Sequence, residues 1–138
     1  LGQNSLNNIK TSNRLINVLA KFYNEDHQLD DCVFINQSNN IVESTSGNIF
    51  ILLDNQIITP TLKSGCIDGV MRKYLLKQKN ICGLSVLEKD IIISDLLNAK
   101  ELFFSNVINC VSWVAFFRGN VYESNLSKEI IKEINNLF

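Results

Sequence analysis

Residues 48–58 constrain this chain more tightly than any other stretch. Residues 48–53 and 56–58 are apolar, β-rich runs separated by the pair Asp54-Asn55. Two residues that tolerate positive φ between two such runs close a tight hairpin. Pro60, the only proline, has no amide hydrogen for a ladder and ends the second strand. A second hairpin is expected where residues 32–35 and Ile41-Val42 flank the turn-prone 36–40, with Glu43 just past its strand. Residues 82–87 and 102–105 read as further strands. Residues 111–117 and Val121-Tyr122 bracket a turn at Arg118-Gly119-Asn120.

Between the strands, helical spacing recurs. Leu15, Ile16, Val18, Leu19 and Phe22 predict an amphipathic helix from Thr11 or Ser12 to about Asn24, with Ser12 or Asn13 as cap. A loop over 64–69 leads into a helix over 69–78 that Asp68 can cap. A short helix over 94–99 has Ser94 or Asp95 as cap. A C-terminal helix over 127–138 carries Ile130, Ile131, Ile134 and Leu137 on one face, with Ser127 as cap. Strands outnumber helices in a mixed order, which predicts a single α+β domain over 1–138 and no Rossmann unit.

Composition narrows the function classes. Thirteen basic and fourteen acidic residues leave a net charge of −1 without long runs of either sign, so neither nucleic acid nor an anionic membrane surface is an expected partner. The longest apolar stretches, 49–53 and 111–117, fall far short of the ~20 residues of a membrane span, and no signal-peptide pattern opens the chain. A soluble, cytoplasmic protein is the expectation. Cys32, Cys66, Cys82 and Cys110 lack metal-ligand or disulfide spacing and read as small hydrophobes; no metal is expected. His27 reads as structural or solvated, and Trp113, Phe103, Phe104, Phe116 and Phe117 as core. Neither a G-x-G-x-x-G nor a G-x-x-x-x-G-K-[ST] string is present.

Three features could carry chemistry: Lys10 just before a helix, Glu43 at a strand end, and Asp68-Gly69 opening a helix whose free amides can meet an anion. Singly, each has an ordinary reading as a solvated side chain or a helix cap. Their order is more informative. The blocks Ile9-Lys10-Thr11-Ser12-Asn13-Arg14-Leu15, Glu43-Ser44-Thr45-Ser46-Gly47-Asn48, Ser64-Gly65-Cys66-Ile67-Asp68-Gly69-Val70-Met71-Arg72 and Glu101-Leu102-Phe103-Phe104-Ser105-Asn106 resemble, in that order, the class IV aminotransferases, a family of fold type IV. It includes branched-chain and D-amino-acid aminotransferases and aminodeoxychorismate lyases.

The resemblance implies pyridoxal 5'-phosphate (PLP) as cofactor and the C-terminal, cofactor-binding domain as fold. It makes Lys10 the lysine that forms a Schiff base with PLP and shuttles a proton to and from the substrate α-carbon. It makes Glu43 the carboxylate on the pyridine nitrogen, which keeps the ring an electron sink. It puts Ile67 against the ring, the amides of Gly69, Val70 and Met71 on the phosphate, and Ser105, Asn106 and Val107 in a second phosphate-side turn. Val107 stands where some members have threonine, leaving only a backbone donor. Arg14 follows Asn13 where branched-chain enzymes have Asn-Tyr, removing a hydroxyl beside the cofactor.

By the same resemblance, the activity is transfer of an amino group between a small amino acid and a 2-keto acid, in a homodimer. The alternative is a lyase that releases 4-aminobenzoate and pyruvate; the blocks at Lys10 and Gly69 lean toward the lyase or the D-amino-acid branch. Only nine residues precede Lys10, and the first is Leu1. Family members have a whole N-terminal domain there, with an arginine for the phosphate, so a fragment of a longer product is expected. A catalytically inactive structural or interaction module is the reading from another class.

Overall fold

The computed structural model describes residues 8–10 and 14–137. Helix α1 (Leu15–His27) is followed by strands β1 (Val33–Ile35), β2 (Ile41–Ser44), β3 (Asn48–Leu53) and β4 (Gln56–Thr59). Then come α2 (Val70–Gln78), β5 (Asn80–Ile81), β6 (Leu84–Glu88), α3 (Ile93–Asn98), β7 (Glu101–Asn106) and β8 (Cys110–Trp113). A small hairpin of β9 (Phe116–Phe117) and β10 (Asn120–Val121) leads to α4 (Asn125–Asn135).

Six strands form one sheet in the order β5-β6-β4-β3-β7-β8, in which only β4 and β6 run parallel. That pair needs a crossover, and α2 lies in it. The expected α+β class holds, because the strand-rich order is built from local hairpins. Asp54 and Asn55 both take positive φ between β3 and β4, as a two-residue hairpin requires.

The central strands are buried on both faces. On one side Phe50, Ile57, Phe103 and Val111 pack with Leu75 of α2 and Ile130 and Ile134 of α4. On the other, Ile49, Ile51, Ile58, Leu102 and Phe104 pack with Ile41, Leu96 of α3 and Tyr122. Adjacent residues of one strand thus enter opposite clusters, which is why β3 and β7 read as continuous apolar runs.

Several sequence expectations are corrected. Glu43 lies within β2, not past it. The strand expected over 82–87 starts at Leu84, since Cys82 and Gly83 are a positive-φ turn from β5. The run 111–117 breaks at Val114-Ala115, where Val114 N–H bonds Leu102 O at 2.8 Å and Ala115 O accepts from Tyr122 N–H at 3.0 Å. Trp113 and Phe116 are exposed, the former under the Lys128 ammonium at 5.4 Å from its ring centroid; Phe103 and Phe104 are core. Of the cysteines, only Cys66 is buried, and all four are free.

Helix caps were the least readable feature. Arg14 occupies the N-cap of α1, and the expected caps Ser12 and Asn13 lie outside the described residues, as does Thr11. Asp68 does not cap α2; its carboxylate goes to Lys73 Nζ at 3.0 Å and Arg72 Nη1 at 3.7 Å. Buried Arg72 also donates to Pro60 O at 2.8 Å and pairs with Glu88, tying the start of α2 to the ends of β4 and β6. In α3, Ile92 is the N-cap and Asp95 reaches back to its amide at 2.9 Å. Helix α4 starts two residues ahead of Ser127, and its cap comes from another strand. The Glu101 carboxylate accepts Leu126 N–H at 2.7 Å, Ser127 N–H at 3.1 Å and Ser127 Oγ–H at 2.9 Å.

Candidate functional site

The segment bearing Lys10 is pinned by Asn8. Its Nδ2 donates to Leu62 O at 2.9 Å and Cys66 O at 2.6 Å, and its carbonyl accepts Asp68 N–H at 3.0 Å. Lys10 therefore stands beside the loop that leads into α2, and it lines a cleft of about 420 Å³.

Glu43 lies at the inner side of that cleft, 2% exposed. Its Oε2 accepts the Ile67 amide at 2.8 Å, and Arg14 Nη1 is 3.0 Å from Oε1. Arg14 is the contact Oε1 makes among the described residues, an ion pair at 3.0 Å whose angle is poor for a hydrogen bond, and the oxygen is otherwise buried without a partner. Burial pushes the Glu43 carboxyl above its ordinary pKa; the Ile67 amide and the Arg14 charge oppose this and only partly succeed.

Beyond Glu43 the chain turns sharply through residues 44–47. Ser44 Oγ accepts the amides of Ser46 at 3.2 Å and Gly47 at 3.0 Å. Asp31 holds the loop from outside, accepting Thr45 N–H at 3.0 Å and the hydroxyls of Thr45 and Ser46. Gly47 is required there, because a Cβ would lie 2.3 Å from the Ser105 carbonyl oxygen.

The opposite wall is the start of α2. Its first helical bond runs from Lys73 N–H to Gly69 O at 2.9 Å, which leaves the amides ahead of Lys73 without an intrahelical acceptor. No side chain caps them, and Asp68 is turned away toward cations. Gly69 lets the backbone approach Asn48, whose Oδ1 would be 2.3 Å from an added Cβ. Asn48 Nδ2 in turn holds Ile67 O at 2.7 Å, fixing the loop that meets Glu43.

Asn106 and Val107 close the cleft at the β7–β8 turn. The Asn106 side chain is engaged in the turn itself: Oδ1 accepts Ile108 and Asn109 amides at 2.9 and 2.7 Å, and Nδ2 donates to Ser46 O at 3.2 Å. Ser105 Oγ, also lining the cleft, is buried without a hydrogen-bond partner among the described residues.

All nine candidates, Lys10, Arg14, Glu43, Ile67, Gly69, Val70, Met71, Asn106 and Val107, line this one cleft. Asn8, Asp31 and Asn48 were not singled out from the sequence, because short polar side chains carry no local signal of the distant backbone they will bind; Ser105 was placed only as part of the phosphate-side turn. The cleft thus brings together the Lys10 side chain, the buried Glu43 carboxyl, the uncapped amides at the start of α2 and the buried Ser105 hydroxyl. Among the described residues, no helix is long and apolar enough to cross a membrane.

The family model for amino-transferase class IV matches residues 2–115. Aminodeoxychorismate lyase of Vibrio harveyi is 35% identical over 97 residues, 70% of this chain and 36% of that protein. Branched-chain-amino-acid aminotransferase 3 of Arabidopsis thaliana is 33% identical over 93 residues, 67% of this chain and 22% of that protein. In fold, the crystal structure of 4-amino-4-deoxychorismate lyase from Pseudomonas aeruginosa superposes with a TM-score of 0.89 at 24% identity, covering 99% of this chain and 51% of that one. The chain thus spans about half or less of the length of these relatives. With its family model matched over most of its length, the chain belongs to the class IV aminotransferases.

Proposed function

We propose that this chain is the single PLP-binding domain of a class IV enzyme that transfers an amino group between a small amino acid and a 2-keto acid. The observation that carries this reading is the convergence, in one cleft, of Lys10, the buried carboxyl of Glu43 and the uncapped start of α2. The family works with PLP, whose electron-poor ring, when bound, takes up the electron pair left at the α-carbon as its proton departs. Glu43 Oε1 would hold the ring nitrogen, and Ile67 would flank the ring. The amides of Gly69, Val70 and Met71 would hold the phosphate, with the Asn106-Val107 turn and Ser105 Oγ behind it. Arg14 would face the ring through its contact with Glu43. The Lys10 amine would anchor the cofactor and carry the proton at the substrate carbon.

The lyase reading stands second, supported by the 35% identity to the Vibrio enzyme. A homodimer and a cytoplasmic setting belong to the same proposal, supported respectively by the apolar face of α1 and by four unpaired cysteines.

Incubation with PLP, borohydride reduction and peptide mapping tests the site. Labelling concentrated at Lys10 and absent from Lys10→Ala is expected. Labelling scattered over surface lysines, or none, would favour an inactive interaction module. Consumption of a keto acid with a donor amino acid then marks the transaminase, and release of pyruvate and 4-aminobenzoate marks the lyase.

A further inference from the structure

Glu43 poses a physical problem that the cleft must solve before any ligand arrives. A carboxylate that is 2% exposed loses most of its hydration, and burial alone drives it toward the neutral acid. One backbone amide, from Ile67, serves Oε2 at 2.8 Å. Oε1 has no hydrogen bond, only the Arg14 guanidinium at 3.0 Å.

The other groups around the carboxyl do not supply that charge. Asp68 is an anion already engaged by Lys73 and Arg72 at 3.0 and 3.7 Å. The Cys66 thiol, close enough to feel Glu43, is itself pushed up to about 11 and stays neutral. Lys10 shares the cleft, but Arg14 is the one cation within ion-pair distance of Glu43 among the described residues. Arg14 is well placed to stay there. It sits at the N-cap of α1, four positions beyond Lys10, with its side chain only 19% exposed.

We infer that Arg14 is a positioning residue that supplies the resident counter-charge of Glu43, holding it as an anion in the wall of the cleft before a ligand enters. This rests on the cleft being the cofactor site, yet it concerns the unloaded chain. A neutral Glu43 presents an O–H or a weak carbonyl acceptor where a protonated ring nitrogen needs an anion. Losing Arg14 therefore shifts ligand capture to higher pH.

The test titrates the full chain, free of cofactor, with glutamate side-chain carboxyls labelled with carbon-13. The Glu43 resonance is assigned by its loss in Glu43→Gln. In Arg14→Gln the Glu43 midpoint should rise by about one pH unit or more, because an opposite charge within ~4–6 Å holds a carboxyl down by that order. Arg14→Lys, which keeps the charge on a differently shaped head, should move it less. As a second readout, PLP affinity measured by absorbance should fall more steeply between pH 8 and pH 6 in Arg14→Gln than in the wild type. A midpoint in Arg14→Gln that coincides with the wild type overturns the inference. Should that variant not fold, a Glu43 midpoint that moves neither in Arg14→Lys nor on raising salt does the same. The carboxyl titration needs no PLP, so a chain that shows the Arg14 effect but never labels Lys10 sinks the functional reading and leaves this one standing.

Discussion

The Glu43 carboxyl is held above its ordinary pKa mainly by burial, so the folded chain binds that proton more tightly than the unfolded chain. Linkage then fixes the sign. The contribution of this group to stability is greatest below the ordinary carboxylate range and is lost as pH rises through the window up to the raised folded value. Glu43→Gln removes the ionisation and should flatten that part of the profile. Urea midpoints measured from pH 4 to pH 8 should therefore decline less in the variant than in the wild type. An equal decline in both would mean that the buried carboxyl is fully compensated in the unloaded chain. At this scale the residues that meet at the cleft were readable, because lysine, glutamate and a glycine-led helix start keep recognisable neighbours along the chain. Their partners were not: the Asp31 clamp on Thr45 and Ser46 and the Asn8 clamp on the Lys10 segment join backbone stretches 14 or more residues apart.

Among the elements, the hairpins were readable and the caps were not. A two-residue turn such as Asp54-Asn55 is decided by its own φ preferences and the flanking apolar runs, all within about ten residues. A cap can come from anywhere. Glu101, the first residue of β7, caps α4 from across the fold with three hydrogen bonds, and the expected cap Ser127 is itself one of the donors it holds. Glu101→Ala should cost about 2 kcal/mol or more, combining a lost cap with buried amides left unpaired, while Glu101→Gln should cost less. Chemical denaturation checks this; a loss below ~0.5 kcal/mol in Glu101→Ala would show that α4 is held by Ile130 and Ile134 packing alone.

For the whole molecule, the conspicuous surface is α1. Leu15, Ile16, Val18, Leu19, Phe22 and Tyr23 are exposed, while Ala20 and Asn24 are its buried residues. Exposed apolar faces of that extent commonly mark surfaces that pack against another domain or chain. Under the proposed homodimer, Leu19→Lys with Phe22→Lys should shift the chain toward monomer in sedimentation equilibrium at tens of micromolar. A wild type that is already monomeric there would remove this support for the dimer.

Sequence by itself determined the class of the fold, the order of its hairpins and helices, and the nine residues that meet at the cleft. These follow from turn chemistry, hydrophobic spacing and ordered motifs, which act over short stretches of chain. Only the tertiary structure decided that Asp68 leaves the start of α2 uncapped, that Glu101 caps α4 and that Arg14 sits on Glu43. The Glu101 and Arg14 contacts depend on where a buried charged side chain finds its counterpart, a property of packing that no local pattern encodes, and Asp68 is drawn off by cations on the first turn of its own helix.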